Sequence, residues 1–396
     1  MGNNMWTTPE HEKYRMKIRE FAEREIAPIT QKTDREQFFP DELLPKLNEM
    51  GLLGMQVDKK YGGTYTDTLT YIIAVEEISR VCGSTGITIA AHNSLGTYPI
   101  YKFGTEKQKR KYLPEITTGG KLAAFGLTEP EAGSDAGGTK TFAAKVKDGY
   151  KVNGTKCWIT CAGISKTVVF TAKTSREMGT KGISSFIVTH GTPGFSSGKK
   201  ENKLGLRGSD TRFLHFDDVF IPEEDRLGEE GQGFKQFMIT LDGGRVSIGA
   251  MALGIAQGAY DIAIKYATKR QQFGQPIGKF QSVGFKLADM ATQLQASRHL
   301  VYHAALLKDK ENVRYSKESA MAKLHASETG YFCTYAAIGI LGAEGYGDKY
   351  PVERMFRDAK LCEIGEGTSE IQRLVISRII LKEAEKSTST FGFPKE

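Results

Sequence analysis

The chain has 396 residues, of which 39% are hydrophobic and 26% charged, and its formal net charge is +7. This hydrophobic fraction excludes a disordered chain, and the length exceeds the about 250–300 residues at which one core stops growing, so two or three domains are expected. The short basic runs lack the interleaved aromatic residues that stack on bases, which argues against nucleic-acid binding. A modest positive charge suits a ligand with several phosphates.

The expected location follows from what the sequence lacks. No run of 18 uninterrupted apolar residues occurs, so no membrane-spanning segment is expected. Residues 1–10 carry no signal or transit pattern, which predicts a cytoplasmic protein, or a mitochondrial matrix protein if a transit peptide has been removed. Five scattered cysteines suit a reducing compartment, and Cys157 and Cys161 have no partners for a zinc site.

The first segment, residues 1–121, has helical spacing. Apolar residues recur every three to five positions over residues 14–26, and the apolar stretch 69–101 is typical of buried helices. Thr105 is placed to cap a short surface helix. The segment predicts an all-helical N-terminal domain.

The second segment, residues 122–232, has a period close to two. Asp148-Gly149 and Asn153-Gly154 both predict hairpin turns, because such pairs tolerate positive φ. These features predict a small antiparallel barrel or sandwich. The runs rich in Val, Ile, Thr and Phe are 141–146, 167–171, 184–188 and 212–221.

The third segment, residues 233–396, returns to helical spacing and predicts a four-helix bundle. The tail, 387–396, is polar and is expected to be frayed. The four predicted helices are 233–270, 280–310, 314–341 and 354–384.

Two patterns resemble binding motifs without meeting their requirements. His299 and His303 have the spacing of a zinc protease motif, but Leu300 stands where that motif needs Glu, so no metal site is expected. Glycines cluster at 228–233 and 339–347 without the preceding strand that a dinucleotide fingerprint requires. We expect packed histidines and ordinary helix ends there.

Two stretches in the second segment have compositions that suit a flat heterocycle. Residues 127–135 form a loop with Pro, small residues and hydroxyls, whose backbone N–H groups can face a ligand. The alternative is a common turn of this composition. Trp158, in 156–160, can pack on an isoalloxazine ring while Thr160 bonds to its edge; otherwise Trp158 is half-buried barrel surface.

Two stretches in the third segment complete the set. Arg270, in 270–276 followed by Phe280 and Gln281, suits a pyrophosphate, although an ordinary polar loop is equally consistent. Glu366 lies between Gly365 and Gly367, and each Gly costs a helix about 1 kcal/mol. The sequence therefore places a carboxylate on a non-helical kink, for which the alternative is a simple helix break.

Together, in this order, the four stretches resemble the acyl-CoA dehydrogenase family over about residues 9–383. The motifs that carry the resemblance are Thr128-Glu-Pro, followed by Ala132-Gly-Ser, and Glu366-Gly-Thr followed by Ile371-Gln-Arg. The resemblance implies a mainly α, multi-domain fold. Its parts would be an N-terminal helical domain (1–121), a middle antiparallel β-barrel (122–232) and a C-terminal four-helix bundle (233–396).

The resemblance also implies an FAD site between barrel and bundle. The residues expected around the flavin are Phe125, Leu127, Thr128, Gly133, Ser134, Trp158, Ile159 and Thr160, with Thr368, Ser369 and Glu370 from the bundle. Those expected to reach the FAD of a neighbouring subunit are Arg270, Phe273, Gln281, Gly339, Gly342 and Ala343. Those expected at the substrate are Ser134, Asp242, Gly244, Arg245 and Gly367. No metal is implied.

The implied reaction converts an acyl-CoA thioester into a trans-2-enoyl-CoA. Glu366 would remove the α-proton while the β-hydride passes to the flavin, and an electron-transfer flavoprotein would then accept the electrons. Shared FAD sites imply a homotetramer, a dimer of dimers. The alternatives are a flavin oxidase of the same fold, such as an acyl-CoA oxidase or a nitroalkane oxidase, and a non-catalytic flavin-binding protein.

The chain departs from the family pattern at several glycines. Gly339 and Ala343 stand where Gln and Gly are usual in the family. The sequence therefore does not decide whether this segment keeps the usual contact with FAD. Gly365 replaces the usual Tyr, as in the isovaleryl type, which takes its base from a Glu at the position of Gly244. Because that position is Gly here, Glu366 is the only candidate base. Resemblance to short-chain members predicts acyl groups of four to eight carbons, and Gly365 predicts room for a methyl branch.

Overall fold

The computed structural model describes residues 5–386, and the predicted frayed tail lies outside this range. Helices fill both ends of the chain and strands fill the middle. Helix gives way to strand between Thr117 and Leu122, and strand to helix between Leu227 and Gly233. The domain boundaries drawn from the sequence at 121/122 and 232/233 stay predictions.

Within the described residues 5–121, seven α-helices form the first part. The bounds are α1 Pro9–Phe21, α2 Thr30–Arg35, α3 Leu43–Glu49, α4 Thr68–Val81, α5 Gly83–Ala91, α6 Tyr98–Phe103 and α7 Glu106–Thr117, with a π-helical turn at His92–Thr97. Helix α7 begins with a capping box in which the Thr105 side chain accepts from the N–H of Gln108. Helices α4 and α5 are almost wholly buried.

The middle part is a sheet of eight strands. The bounds are β1 Leu122–Gly126, β2 Phe142–Val146, β3 Gly149–Thr160, β4 Ser165–Lys173, β5 Ile183–Thr189, β6 Phe195–Lys200, β7 Thr211–Pro222 and β8 Arg226–Leu227. The order is β6-β7-β3-β2-β4-β5-β8, and β1 also pairs with β4. Most pairs are antiparallel as predicted, but β1 runs parallel to β4, and β2 meets β4 in a single parallel pair.

One of the two predicted hairpin turns is wrong. Asp148 does turn the chain between β2 and β3, with φ +62°. Asn153-Gly154 instead lies within β3, where the pairing with β7 shifts register and Gly154 has φ +149°. A side chain at Gly154 would meet Thr141 at 2.5 Å, so this glycine serves a bulge and a close contact between strands.

The last part is helical. The bounds are α8 Gly233–Lys269, α9 Gln281–Lys308, α10 Ser316–Leu341, α11 Ala343–Tyr346, α12 Val352–Ile364 and α13 Ser369–Glu385. A two-stranded ribbon (β9 Gln271–Gln272, β10 Gln275–Pro276) joins α8 to α9. The fourth predicted helix is thus two helices, α12 and α13, separated at residues 365–368.

Helix α8 is the central element of the core. By length and composition alone it is, within the described part of the chain, the one helix able to cross a membrane, yet 72% of its most apolar window is buried inside the protein. It packs on α4, α5, α9, α10 and α12, and it touches β5. One core cluster therefore joins residues of all three parts, and a cavity lies where the sheet meets α8, α12 and α13.

Candidate active site

A cavity of about 900 Å³ opens between the sheet and the C-terminal helices. Its lining comes from several separate parts of the chain. They are α5 with the following π-helical turn (Ile87, Ala91, Leu95), β1 and the loop after it (Phe125, Leu127, Thr128, Gly133–Gly137), β3 (Trp158–Thr160), Thr180, the segment 202–211, the helix α8, and α12 and α13 with the break between them. Volumes in this range are usual for ligand and cofactor sites.

Glu366 lies on the cavity surface, in the break between α12 and α13. Its φ is +54°, and the next residue, Gly367, has φ +92°, so the chain takes two successive left-handed conformations. Such conformations are unfavourable for a non-glycine residue and persist only where the surroundings impose them. The sequence prediction of a kink at this carboxylate is confirmed in its geometry.

The carboxylate of Glu366 is buried, and neither oxygen has a hydrogen-bond partner. Burial raises the pKa of this group to about 7, although the positive charges of Lys323 and Arg245 act in the opposite direction. A buried carboxylate that no donor stabilises is a stronger base than one in water. The position therefore suits general-base catalysis near neutral pH.

Two side chains hold the kink. The fully buried Lys323, on α10, donates to the carbonyl oxygen of Gly367 at 2.8 Å. Gln372, on α13, donates to the same oxygen at 2.7 Å and to the carbonyl of Glu366 at 3.3 Å. Burial lowers the pKa of Lys323 to about 8, which leaves the ammonium charged at neutral pH.

Lys323 is not among the residues predicted from the sequence, although the sequence carries a signal for it. Lys323 shares one face of α10 with Ser319, Ala320, Ala326 and Ser327, all buried. A lysine within a stripe of small, core-facing residues requires an acceptor from another element.

Gly244 and Arg245 lie on α8, beside the base. A Cβ atom at Gly244 would stand 1.9 Å from Oε2 of Glu366 and 3.1 Å from Leu95, so only glycine leaves room for the carboxylate. Arg245 lines the cavity and donates to Asp242 at 2.6 Å, and Asp242 also accepts from Ser316. Gly244 and Asp242, both predicted at the substrate, do not line the cavity. Gly244 instead leaves room for Glu366, and Asp242 holds Arg245.

The opposite side of the cavity fits a flavin. All eight residues predicted around the ring, from Phe125 to Thr160, line it. The indole of Trp158 is 57% exposed, and Trp158 has φ +59° at a bulge of β3. Space is open around the Cα of Gly133, and the buried hydroxyl of Ser209, also in the lining, has no partner. An exposed ring, an open backbone and an unpaired hydroxyl suit a large heterocycle with polar edges.

The remaining predicted residues divide into two groups. Thr368 lines the main cavity, and with Ser369 and Glu370 it also borders a smaller pocket at the start of α13. Six predicted residues lie outside the cavity lining: Arg270, Phe273, Gln281, Gly339, Gly342 and Ala343. Phe273 is 92% exposed. Their predicted contact with the FAD of another subunit stays a prediction.

The histidine pair takes part in packing. Trp6 donates from Nε1 to His299 at 2.7 Å, and its ring stacks on that of His303. Among residues 5–386, no group of three or more His, Cys, Asp or Glu is arranged to hold a metal ion. All five cysteines are free and buried.

Comparison with known proteins places this geometry in a family. Three family models match in chain order: the N-terminal domain of acyl-CoA dehydrogenase over residues 8–120, the middle domain over 124–219 and the C-terminal domain over 231–381. The short-chain specific acyl-CoA dehydrogenase of Clostridium acetobutylicum is 48% identical over 375 residues, which are 95% of this chain and 99% of that protein.

Solved structures that resemble this chain point to the same family. Butyryl-CoA dehydrogenase of Megasphaera elsdenii superposes with a TM-score of 0.92 at 44% identity, covering 96% of this chain and 100% of that one. A chain in the structure of the electron transferring flavoprotein of Acidaminococcus fermentans gives 0.93 at 46% identity, with the same coverage. With all three domain models matched in order and relatives aligned along nearly its whole length, this chain belongs to the acyl-CoA dehydrogenase family.

Proposed function

We propose that the chain dehydrogenates short acyl-CoA thioesters between Cα and Cβ, with Glu366 as the base. The acyl-CoA dehydrogenase activity and the FAD cofactor follow from membership of the family. The observation that carries the role of Glu366 is its carboxylate, buried at the cavity and without a hydrogen-bond partner.

The α-proton of a thioester is a very weak acid, so the site must raise the basicity of Glu366 and stabilise the developing enolate. Burial raises the basicity of Glu366. Lys323 and Gln372 fix the position of its carboxylate because they hydrogen-bond to the backbone beside it. Apolar residues such as Leu95 and Leu241 keep water from the reacting carbons. When bound, FAD supplies the acceptor for the β-hydride.

Two observations support a short acyl chain. The relatives above are named for short-chain and butyryl substrates. A Cβ atom at Gly244 would meet both Oε2 of Glu366, at 1.9 Å, and Leu95, at 3.1 Å, so we expect Leu95 to limit the space near the reacting carbons. Gly365 lines the cavity without a side chain, which supports acceptance of a methyl branch.

We also propose an electron-transfer flavoprotein as the electron acceptor, supported by the likeness to a chain from such a structure. A homotetramer with shared FAD sites is the proposed assembly. Its support is the loop between α8 and α9, which carries Arg270 and an almost fully exposed Phe273. Arg270→Ala should release FAD and loosen the assembly; a monomer in solution with full FAD occupancy would exclude this arrangement. The cytoplasmic location stays a prediction.

The decisive experiment replaces Glu366 by Gln, which keeps size and removes the base. Turnover should fall by about 10²–10⁴-fold, the usual effect of losing a general base, while FAD stays bound. Anaerobic bleaching of the flavin by butyryl-CoA follows the chemical step directly. Bleaching at the wild-type rate would overturn the assignment. Measuring reduction of oxygen against reduction of an electron-transfer flavoprotein separates a dehydrogenase from a flavin oxidase.

A further inference from the structure

A second buried charge lies behind the cavity surface and takes no part in the proposed reaction. The Lys156 ammonium is completely buried on β3. It donates to the carbonyl of Leu127 at 3.1 Å, to Oε1 of Glu129 at 2.7 Å, and to the hydroxyls of Thr139 at 3.2 Å and Thr171 at 3.4 Å. We call these five residues the Lys156 cluster.

The carboxylate of Glu129, like the ammonium of Lys156, has several hydrogen-bond partners. Besides Lys156 it accepts from the Thr139 hydroxyl and from the backbone N–H groups of Lys140 and Thr141. The Glu129 side chain is 2% exposed. Fully satisfied buried polar networks of this kind favour a single arrangement of the segments they connect.

The segments connected by the cluster are those that line the flavin side of the cavity. Leu127 and Glu129 flank Thr128 in the loop after β1, and Lys156 precedes Trp158 by two residues on β3. Pairing of β3 with β7 is interrupted between Lys156 and Ile159, and the N–H of Cys157 donates instead to the carbonyl of Thr128 at 2.8 Å. The bulge that exposes Trp158 is therefore bonded to the loop that carries Thr128.

Stability alone does not account for this cluster. A buried ion pair loses its hydration, so a well-packed neutral replacement is often as stable or more stable. Burial lowers the pKa of Lys156 to about 8 even though Glu129 opposes the shift, which shows the cost of desolvation. The Lys156 cluster is then best explained by the fixed position that it imposes on the loop after β1 relative to the β3 bulge.

We propose that Lys156 and Glu129 are positioning residues for FAD, which fix the loop after β1 against the β3 bulge so that Thr128 and Trp158 face the cavity in one geometry. This inference rests on the proposed seating of the flavin between that loop and Trp158. It does not depend on the identity of the base. The two residues act through Thr128 and Trp158 and do not themselves line the cavity.

The test compares three variants of the holoenzyme. Lys156→Met with Glu129→Gln removes both charges together and keeps an acceptor for the Lys140 and Thr141 amides. Lys151→Met with Asp218→Asn removes an exposed ion pair of 3.1 Å between β3 and its neighbour β7, and serves as control. Trp158→Leu tests the seating of the flavin.

The buried double variant should keep the circular dichroism spectrum of the wild type. Its dissociation constant for FAD should rise about tenfold or more, the usual effect of removing a residue that orients a ligand-binding group. Its flavin absorption band should also shift, while the control matches the wild type. Wild-type FAD affinity and absorption in the buried double variant would overturn the proposal. If Trp158→Leu also leaves both unchanged, the seating of the flavin is wrong as well; if Trp158→Leu alone weakens FAD, only the role of the cluster fails.

Should the buried double variant not fold, hydrogen exchange of the wild-type holoenzyme decides. The amides of Lys140 and Thr141, which donate to Glu129, should exchange as slowly as that of Val152 within β3. Exchange faster by orders of magnitude would show that the cluster does not fix the loop, and would overturn the proposal.

Discussion

Glu366 and Glu129 are two buried carboxylates near the same cavity, and their pKa values are shifted in opposite directions. Both lose hydration, which by itself raises the pKa of each. At Glu129 the charge of Lys156 and the hydrogen bonds outweigh burial and lower the pKa to about 2, whereas Glu366 has no partner on either oxygen and its pKa rises to about 7. Hydrogen-bond partners, more than burial, decide which carboxylate holds the structure and which is available as a base.

This difference predicts that Glu366 destabilises the fold at neutral pH. A carboxyl group whose folded pKa lies above its unfolded value makes the folded state bind more protons, so its contribution is lost as pH rises from about 4.5 to about 7. Glu366→Gln should therefore be more stable than the wild type above pH 7, by up to about 3 kcal/mol, and equal to it near pH 4. Thermal unfolding of both holoenzymes at pH 4.5 and 8 measures this; an equal difference at both pH values would contradict it.

The space around Glu366 is the next feature to alter. Gly244→Ala places a methyl group 1.9 Å from Oε2 of Glu366 and should displace the base. Turnover should fall by about 10²-fold, the usual effect of a displacement of about 1 Å. Gly284→Ala is the matched control, since a Cβ there would meet nothing closer than 3.7 Å. The rate of flavin bleaching by butyryl-CoA is the readout, and similar rates in both variants would show that the carboxylate does not need this space.

Lys323 is a buried cation that also holds the kink. Lys323→Met removes a charge that lowers the pKa of Glu366, so the pH dependence of kcat/KM should move to higher pH. Lys317→Met, on the same helix in a partly exposed pair with Glu383, should leave the profile in place. A drop in rate without a shift in the profile would mean that Lys323 acts only on the backbone of Gly367.

Gly365 should give the smallest effect. A Cβ atom there would lie in ordinary contact with Leu361, at 3.5–3.7 Å, so a side chain can be built on this backbone. Gly365→Tyr should reduce kcat/KM for isobutyryl-CoA more than for butyryl-CoA, by about 1 kcal/mol, the scale of one methyl group in a pocket. Equal losses on the two substrates would show that Gly365 does not shape the pocket.

Much of this arrangement is visible in the sequence. Residue spacing predicted the helix, strand, helix order, and the glycines beside Glu366 predicted the kink, because both are local properties. The parallel pairing of β1 with β4 and the bulge at Gly154 were missed, since both depend on partners distant in the chain. Lys323 and Lys156 were missed for the same reason: the carbonyl bound by Lys323 lies 44 residues away, and Glu129 lies 27 residues from Lys156.

The most direct test of the central claim is the pH dependence of kcat/KM for butyryl-CoA in the wild-type enzyme, because this ratio reports the ionisation of the free enzyme. An unpartnered, buried Glu366 predicts a rate that rises with pH through an apparent pKa of about 7 and then levels off. Glu366→Gln should remove this titration together with most of the activity. A wild-type profile already level at pH 5 would contradict the account, because it would require a base with the pKa of an exposed or well-partnered carboxylate.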